Sequence, residues 1–291
     1  MQTMELSKLG ILAYVDTMTA TESVDFARRV ERLGYSVLWL PETFGRDPFV
    51  MATRLLAATD RILVGTAIAN VWKREPQATA AAARNLAELF DGRFILGLGV
   101  SAGPFMLRNG LPYAKPVEFV RDYLERMKTA PYKAPPPAEE PPVVLAGLRP
   151  RMMRLAAEAS AGVITALTPP AMIARMRQAL PGKWLLAQQM VMLESDAHKA
   201  RAALRAFMHF YMSAPPYQRH FRDLGFTADD MRGGGSDWLL DTVIAWGDRE
   251  VLSARIAAHR EAGADHVYLV PLSADGGRLP DMRVIEALAP G

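Results

Sequence analysis

Short apolar runs alternate along this chain with segments of helical periodicity, and that alternation limits the fold more than any other feature. Eight runs have strand character: Leu9–Val15, Ser36–Leu40, Ile62–Ala69, Arg93–Gly99, Pro142–Ala146, Gly162–Ala166, Leu185–Leu193 and His266–Val270. Several are apolar throughout, as strands covered on both faces of a parallel sheet must be. Between them, Glu22–Leu33 sets Val24, Ala27, Val30 and Leu33 on one stripe and stops at Gly34. Pro76–Phe90 opens with proline at a first helical position. Pro150–Ser160 and Pro169–Leu180 follow the next strands, and Glu250–Ala262 turns Leu252 and Ile256 inward before Gly263. Strands alternating with helices imply βαβ units. Eight such units in 291 residues predict an α/β fold, a (β/α)8 TIM barrel forming one domain over residues 1–291.

Two segments break the alternation. Pro131–Pro142 (PYKAPPPAEEPP) is proline-rich and reads as an extended surface loop. Ser195–Trp246 is too long for one connection between the seventh and eighth strands. It reads as helical to about Met212, then as APPYQRHFRDLGF and an RGGGSD loop leading to a short helix. We expect a largely helical insertion, over about residues 195–246, packed beside the barrel mouth or at a subunit interface.

Composition removes several function classes. With 34 basic and 31 acidic residues the net charge is +3, and no basic run points to nucleic acid. There is no cysteine, so disulfides, cysteine nucleophiles and thiolate metal sites are excluded. The histidines, His198, His209, His220, His259 and His266, show no H-E-x-x-H or H-x-H spacing, and no metal is expected. No apolar run approaches the roughly 18 residues of a membrane span. The opening MQTMELSKLGILAYV reads as a lead into the first strand, not as a signal peptide. The expectation is a soluble, cytoplasmic protein.

Barrel enzymes carry their chemistry at the C-terminal ends of the strands. Glu42 follows VLWLP and would stand at the rim, where a carboxylate can accept a hydrogen bond from a ring N–H or a hydroxyl, or act as acid or base. On position alone, a helix-start or solvated glutamate fits as well. Gly97 and Gly99 lie inside an apolar strand, which marks close approach of a ligand or of another part of the protein. Arg149 and Arg151 flank Pro150 at a helix start, an arrangement suited to phosphate or simply to a solvated surface. Trp72, Phe105, Met106 and Leu107 would line an apolar mouth, unless they only pack neighbouring segments. Gly99–Gly103 also matches G-x-S-x-G, the turn that presents a hydrolase serine, here Ser101. That turn must open into a helix, whereas Pro104 follows, and the last histidine, His266, opens a strand instead of lying in a late loop.

Several stretches carry a family resemblance: ERLGYSVLWLPETFGRDPF (31–49), LVGTAIANVWKREP (63–76), GRFILGLGVSAGP (92–104), YAKPVEFVRDYL (113–124), PPVVLAGLRPRMMRLAAEASAG (141–162), LGFTADDMRGGGSDWLLDTVIAWGD (224–248) and HREAGADHVYL (259–269). The chain resembles the luciferase-like monooxygenase superfamily, and within it a mycobacterial-type group of coenzyme F420-dependent oxidoreductases. The resemblance implies hydride transfer between a deazaflavin, coenzyme F420, with FMN as the alternative, and a small organic substrate; an apolar mouth of Trp72, Phe105, Met106 and Leu107 would suit a hydrophobic one. It also implies a homodimer. In such proteins a bulge or non-proline cis peptide backs the ring at the end of the third strand; the matching bond is Ala67–Ile68. Glu42 matches a position that contacts the ring's polar edge, and Asn70, Gly99, Ser101, Ala146 and Gly147 fall on positions lining ring, ribityl chain or phosphate. Titratable groups of relatives are replaced: Thr43 and Ala102 stand where sugar-phosphate dehydrogenases carry a histidine and a glutamate, Thr165-Ala166 replaces a Pro-Tyr pair, and a strand-seven glutamate becomes Gln188 or Gln189. A second reading is therefore a barrel that binds coenzyme or ligand without turnover; a third is a serine hydrolase using Ser101.

Overall fold

The computed structural model describes residues 6, 9–43, 45–111, 113–277 and 279–290, and the side chains of Pro104 and Phe105 lie outside that description. The strands are β1 (Gly10–Leu12), β2 (Val37–Leu40), β3 (Leu63–Thr66), β4 (Ala69–Asn70), β5 (Phe94–Gly99), β6 (Val143–Ala146), β7 (Gly162–Ile164), β8 (Trp184–Leu193), β9 (Ile244–Gly247) and β10 (His266–Leu272). Eight of them, in the order β1-β2-β3-β5-β6-β7-β8-β10, pair in parallel, and β10 returns to β1 to close the barrel. This is the predicted (β/α)8 architecture. Two short strands escape the sequence pattern. β4 continues the line of β3 beyond a break and pairs with the end of β5. β9 extends the sheet beside the last four residues of β8, in register from Met190↔Ile244 to Leu193↔Gly247.

The helices are α1 (Ala20–Arg32), α2 (Pro48–Leu56), α3 (Pro76–Leu89), α4 (Gly103–Arg108), α5 (Pro116–Lys128), α6 (Pro150–Ala159), α7 (Pro170–Gln178), α8 (Ala197–Ser213), α9 (Pro215–Asp223), α10 (Asp237–Val243), α11 (Arg249–Glu261) and α12 (Met282–Ala287). α2, α3, α5, α6, α7 and α9 each begin with proline in the first turn. Proline has no N–H to lose there and its fixed φ suits the first helical residue, so it sets where each helix starts. Elsewhere side chains cap the ends: Thr19 and Glu22 form a reciprocal capping box on α1, and Asp196 accepts from His198 N and Lys199 N at the start of α8.

Side-chain alternation divides the core in two. Outward-facing residues such as Ile11, Leu38, Val64, Leu96 and Leu185 meet the helices, while inward-facing Leu12, Trp39, Ile95, Val144 and Leu186 fill the barrel. Trp39 takes most of one layer, and its neighbours are correspondingly small. A methyl on Gly65 would overlap the Trp39 ring, and one on Gly10 would stand 3.0 Å from Trp39 Nε1. Trp39 Nε1 donates to His266 Nε2 at 3.1 Å, and His266 Nδ1 donates to Leu6 O at 2.9 Å, which fixes the imidazole tautomer. Tyr268 sits over this pair, its ring centroid 5.6 Å from that of Trp39.

The segment between β8 and β10 holds α8, α9, a 3-10 turn at Asp229–Gly234, α10, β9 and α11. Sequence reasoning did not assign a helix at α9, and it did not anticipate β9. Met208, Met212, Phe221, Leu239 and Leu240 from this segment share one buried cluster with the barrel interior, so it packs on the barrel. Among the described residues no helix is long and apolar enough to cross a membrane.

Candidate active site

The positions expected to line a ring converge at the C-terminal rim of β3, β5 and β6. The Ala67–Ile68 peptide is cis, as expected from the resemblance. It follows β3 directly: Ala67 N donates to Leu40 O at 2.8 Å, and Ile68 O accepts from Glu42 N at 3.2 Å. β4 then brings Asn70 into register with Gly99. A methyl on Gly99 would stand 2.8 Å from Ile68 Cγ1 and 2.9 Å from Ala146 Cβ. Ile68, Gly99 and Ala146 therefore form one continuous floor with no room for a larger residue at its centre. Gly97, one layer below, is required for a different reason. Thr66 Oγ1 donates to Gly97 O at 2.7 Å and accepts from Gly97 N at 2.9 Å, and any Cβ would overlap Thr66 O.

Glu42 lies beside this floor but is fully engaged. Its Oε2 accepts from Asn70 N at 2.7 Å and from Arg74 Nη1 at 2.7 Å, and Lys73 Nζ lies 3.6 Å from Oε1. Its side chain is only 6% exposed, so two cations and a backbone N–H share a carboxylate that water hardly reaches. Asn70 is turned into the protein: Oδ1 accepts from Trp72 N at 3.0 Å, and Nδ2 meets Met106 Sδ at 3.0 Å. Thr43 donates to Asp16, which also accepts from Gly45 N and Arg46 N at 3.2 and 2.9 Å. Asp16, which sequence reasoning did not single out, thus shapes the loop after β2.

Gly147 follows β6, its N–H donating to Ile164 O at 3.2 Å. Arg149 precedes the first turn of α6, whose leading N–H groups no side chain caps, and its Nη1 lies 3.3 Å from Asp223 Oδ2 at the end of α9. Ser101 is exposed and has φ 54°, a left-handed conformation costly for a non-glycine residue. Contrary to expectation, α4 opens two residues later. The hydrolase turn is thus approximated in backbone, but the buried histidines are engaged elsewhere. His220 Nε2 bonds Leu167 O at 2.9 Å, His259 Nε2 bonds Gln189 Oε1 at 2.8 Å, and His266 bonds Trp39 and Leu6. Among the described residues no cluster of His, Asp or Glu could hold a metal ion.

The apolar mouth expected from Trp72, Phe105, Met106 and Leu107 is not built that way. Trp72 is buried, stacks on Phe119 at 3.9 Å and donates to Val100 O at 3.1 Å; Met106 is buried, and Leu107 is 61% exposed. The phase of the helix decides this: α4 turns Met106 beneath Asn70 and Leu107 to solvent. The Phe105 side chain lies outside the described residues.

The facing wall comes from residues that sequence reasoning missed. Tyr14 lies two residues beyond β1, Tyr211 is on α8, Tyr217 on α9 and Tyr268 on β10. The Tyr14 and Tyr211 hydroxyls are hydrogen-bond partners, and the Tyr211 and Tyr217 rings meet edge to face at 4.8 Å. Burial raises the pKa of all four phenols, that of Tyr217 to about 12, so all stay protonated at neutral pH. The available signal was aromatic residues just past a strand and clustered in the insertion.

Comparison with known proteins agrees with this fold. A Mycobacterium tuberculosis protein described, without an established activity, as a coenzyme F420-dependent oxidoreductase is 31% identical over 165 residues, which is 56% of this chain and 45% of that protein. The chain thus aligns with less than half the length of that relative. The coenzyme F420-dependent tetrahydromethanopterin reductase of Methanopyrus kandleri superposes with a TM-score of 0.76 over 98% of this chain and 97% of its own, at 18% identity. The oxygenating constituent of 3,6-diketocamphane monooxygenase from Pseudomonas putida, solved with FMN, gives 0.72 over 98% and 97% at 14% identity. Residues 4–266 match the luciferase-like monooxygenase family model, and the chain belongs to that family.

Proposed function

We propose that the barrel mouth holds coenzyme F420, with FMN as the alternative, and that the protein is an oxidoreductase acting on a small, largely apolar organic molecule. One observation carries this reading: the floor of Ile68, Gly99 and Ala146 is apolar and too tight at its centre even for a methyl group, so no side chain projects there, as the face of a planar ring would require. The bound coenzyme would supply the hydride chemistry. The chain's own residues would bind and orient. The uncapped start of α6 and Arg149 would meet a phosphate on the coenzyme tail. Tyr14, Tyr211 and Tyr217 would close the site against water from the opposite side.

Glu42 enters this reading as a positioning residue. Held by Arg74, Lys73 and Asn70, it fixes the strand ends beneath the ring. Its engagement is also what favours the second reading, a barrel that binds coenzyme without turnover. Titration of the purified protein with coenzyme F420 and with FMN, followed by fluorescence, tests the first point. Binding of neither at micromolar concentration ends both readings. Bleaching of the deazaflavin when any substrate of a broad panel is added excludes the second.

A further inference from the structure

Gln188 carries an unfilled acceptor inside the barrel. β8 alternates: Leu186, Gln188, Met190 and Met192 face the interior, whereas Leu185, Ala187, Gln189 and Val191 face the helices. Gln188 is in register with Tyr268 on β10, and its N–H donates to Thr165 Oγ1 at 3.4 Å, just past the end of β7. It therefore stands at the mouth end of the barrel. Gln188 is only 9% exposed, and its buried Oε1 has no hydrogen-bond partner.

The direction of the amide follows from its neighbour. Tyr268 has one hydroxyl proton and donates it to Thr165 O at 2.6 Å. Toward Gln188 the Tyr268 oxygen can only accept, so the group that hydrogen-bonds to it must be the amide NH2. Turning the amide over would set two acceptors face to face. Oε1 is thus held away from Tyr268, buried, with no proton to accept. A buried carbonyl left without a donor destabilises the protein, and so calls for a partner that the chain does not provide.

The position of this acceptor narrows what the partner is. In the strand order of the closed barrel, β8 lies four places from β3 and so directly across from it. The floor of Ile68, Gly99 and Ala146 belongs to the β3–β6 side. A ring on that floor would leave the β8 wall to whatever lies between ring and tyrosines.

We propose that Gln188 Oε1 accepts a hydrogen bond from the substrate, and that the site selects a neutral molecule presenting an O–H or N–H donor. This rests on the coenzyme reading above for which molecule occupies the β3 side. A neutral amide held as an acceptor favours an alcohol, phenol or lactam. It disfavours the corresponding methyl ether or N-methyl compound, which would leave Oε1 unpaired.

The test uses the intact protein and binding, not turnover. The probes are neutral cyclic alcohols, phenols and lactams, each paired with its O- or N-methylated twin. They are titrated by intrinsic fluorescence and calorimetry with and without coenzyme F420 or FMN. In the unmodified protein we expect at least one donor compound to bind about tenfold more tightly than its twin. Gln188→Met, similar in length, should abolish that preference while changing coenzyme affinity by less than about twofold. Tyr268→Phe keeps the amide but removes what orients it, and should reduce the preference; a purely space-filling Gln188 would not respond. Thermal melts identify any variant that fails to fold, and the Tyr268→Phe comparison then stands by itself. The proposal is overturned if no donor compound is preferred over its twin, if the preference survives Gln188→Met, or if that variant loses coenzyme affinity and leaves the preference intact. Failure of both coenzymes to bind would instead remove the coenzyme reading, since the probe preference is measured without them.

Discussion

His259 should make the stability of this barrel depend steeply on mild acid. The residue is buried on α11, and the hydrogen bonds around it fix its tautomer. Gln189 Nε2 donates to Met190 O at 2.7 Å and to Val243 O at 3.3 Å, so Gln189 Oε1 is the acceptor for His259 Nε2–H at 2.8 Å. Nδ1 is left as a buried lone pair without a partner. Protonating it would place a charge in the protein interior near the Arg255 guanidinium, and burial first, then Arg255, lowers the imidazole pKa from 6.5 to about 4. The unfolded chain takes up this proton as pH falls below the ordinary value, while the folded chain does not until about pH 4. The contribution is therefore complete above the unfolded pKa and lost as pH falls through the window from 6.5 to about 4. Across the whole window it amounts to roughly 3 kcal/mol, of which about 2 kcal/mol is gone by about pH 5. Urea unfolding followed by tryptophan fluorescence at about pH 7 and about pH 5 gives the dependence; His259→Gln, which can still offer an N–H to Gln189, should flatten it by about 2 kcal/mol. If the variant and the parent lose stability in parallel between those pH values, the buried neutral imidazole is not the cause.

Glu42→Gln removes the charge that faces Arg74 and Lys73 while keeping an acceptor for Asn70 N; it should lower stability by about 1–3 kcal/mol and leave the pH profile of any activity unchanged, as thermal melts and rate measurements would show. Unchanged stability with a displaced pH profile would make Glu42 an acid or base of the reaction instead. Gly99→Ala places a methyl within 3 Å of both Ile68 and Ala146 and should cost about 1–3 kcal/mol together with a large loss of coenzyme affinity, whereas Gly147→Ala, whose nearest neighbour would be 3.5 Å away, should fold normally.

The sequence made the architecture legible because barrel strands are buried on both faces and show up as bare apolar runs. What it could not show follows from the same fact. With both faces of β8 apolar, nothing in Leu185–Leu193 revealed its phase, so Gln188 and Gln189 looked equivalent; in the structure one enters the barrel and the other holds His259. β4 and β9 are too short to give a run of their own, and they are set by a partner, the end of β5 or of β8. α9 was missed because PPYQRHFRD is polar and its helix is recognisable only from the proline that opens it. The resemblance and the glycine signal at Gly99 pointed to Ile68, Gly99 and Ala146, which the structure brings side by side. The tyrosine wall was not, since Tyr14, Tyr211, Tyr217 and Tyr268 are far apart in sequence and meet only when the insertion folds back over the mouth. Arg74, the main partner of Glu42, was equally invisible as one arginine among many.

β8 is ten residues long; one edge pairs with β10 from Leu186 to Met192, while on the other β7 stops at Leu186 and β9 takes over from Met190 to Leu193. Beyond the end of β7 that second edge carries β9, like a mast stepped in the hull, and α8 and α10 are rigged to either end of the β8–β9 pair. The helices over the mouth are therefore tied to the same strand that bears Gln188. A displacement of the insertion would be felt at the acceptor in the interior, and a molecule seated against that acceptor would in turn brace the insertion from below.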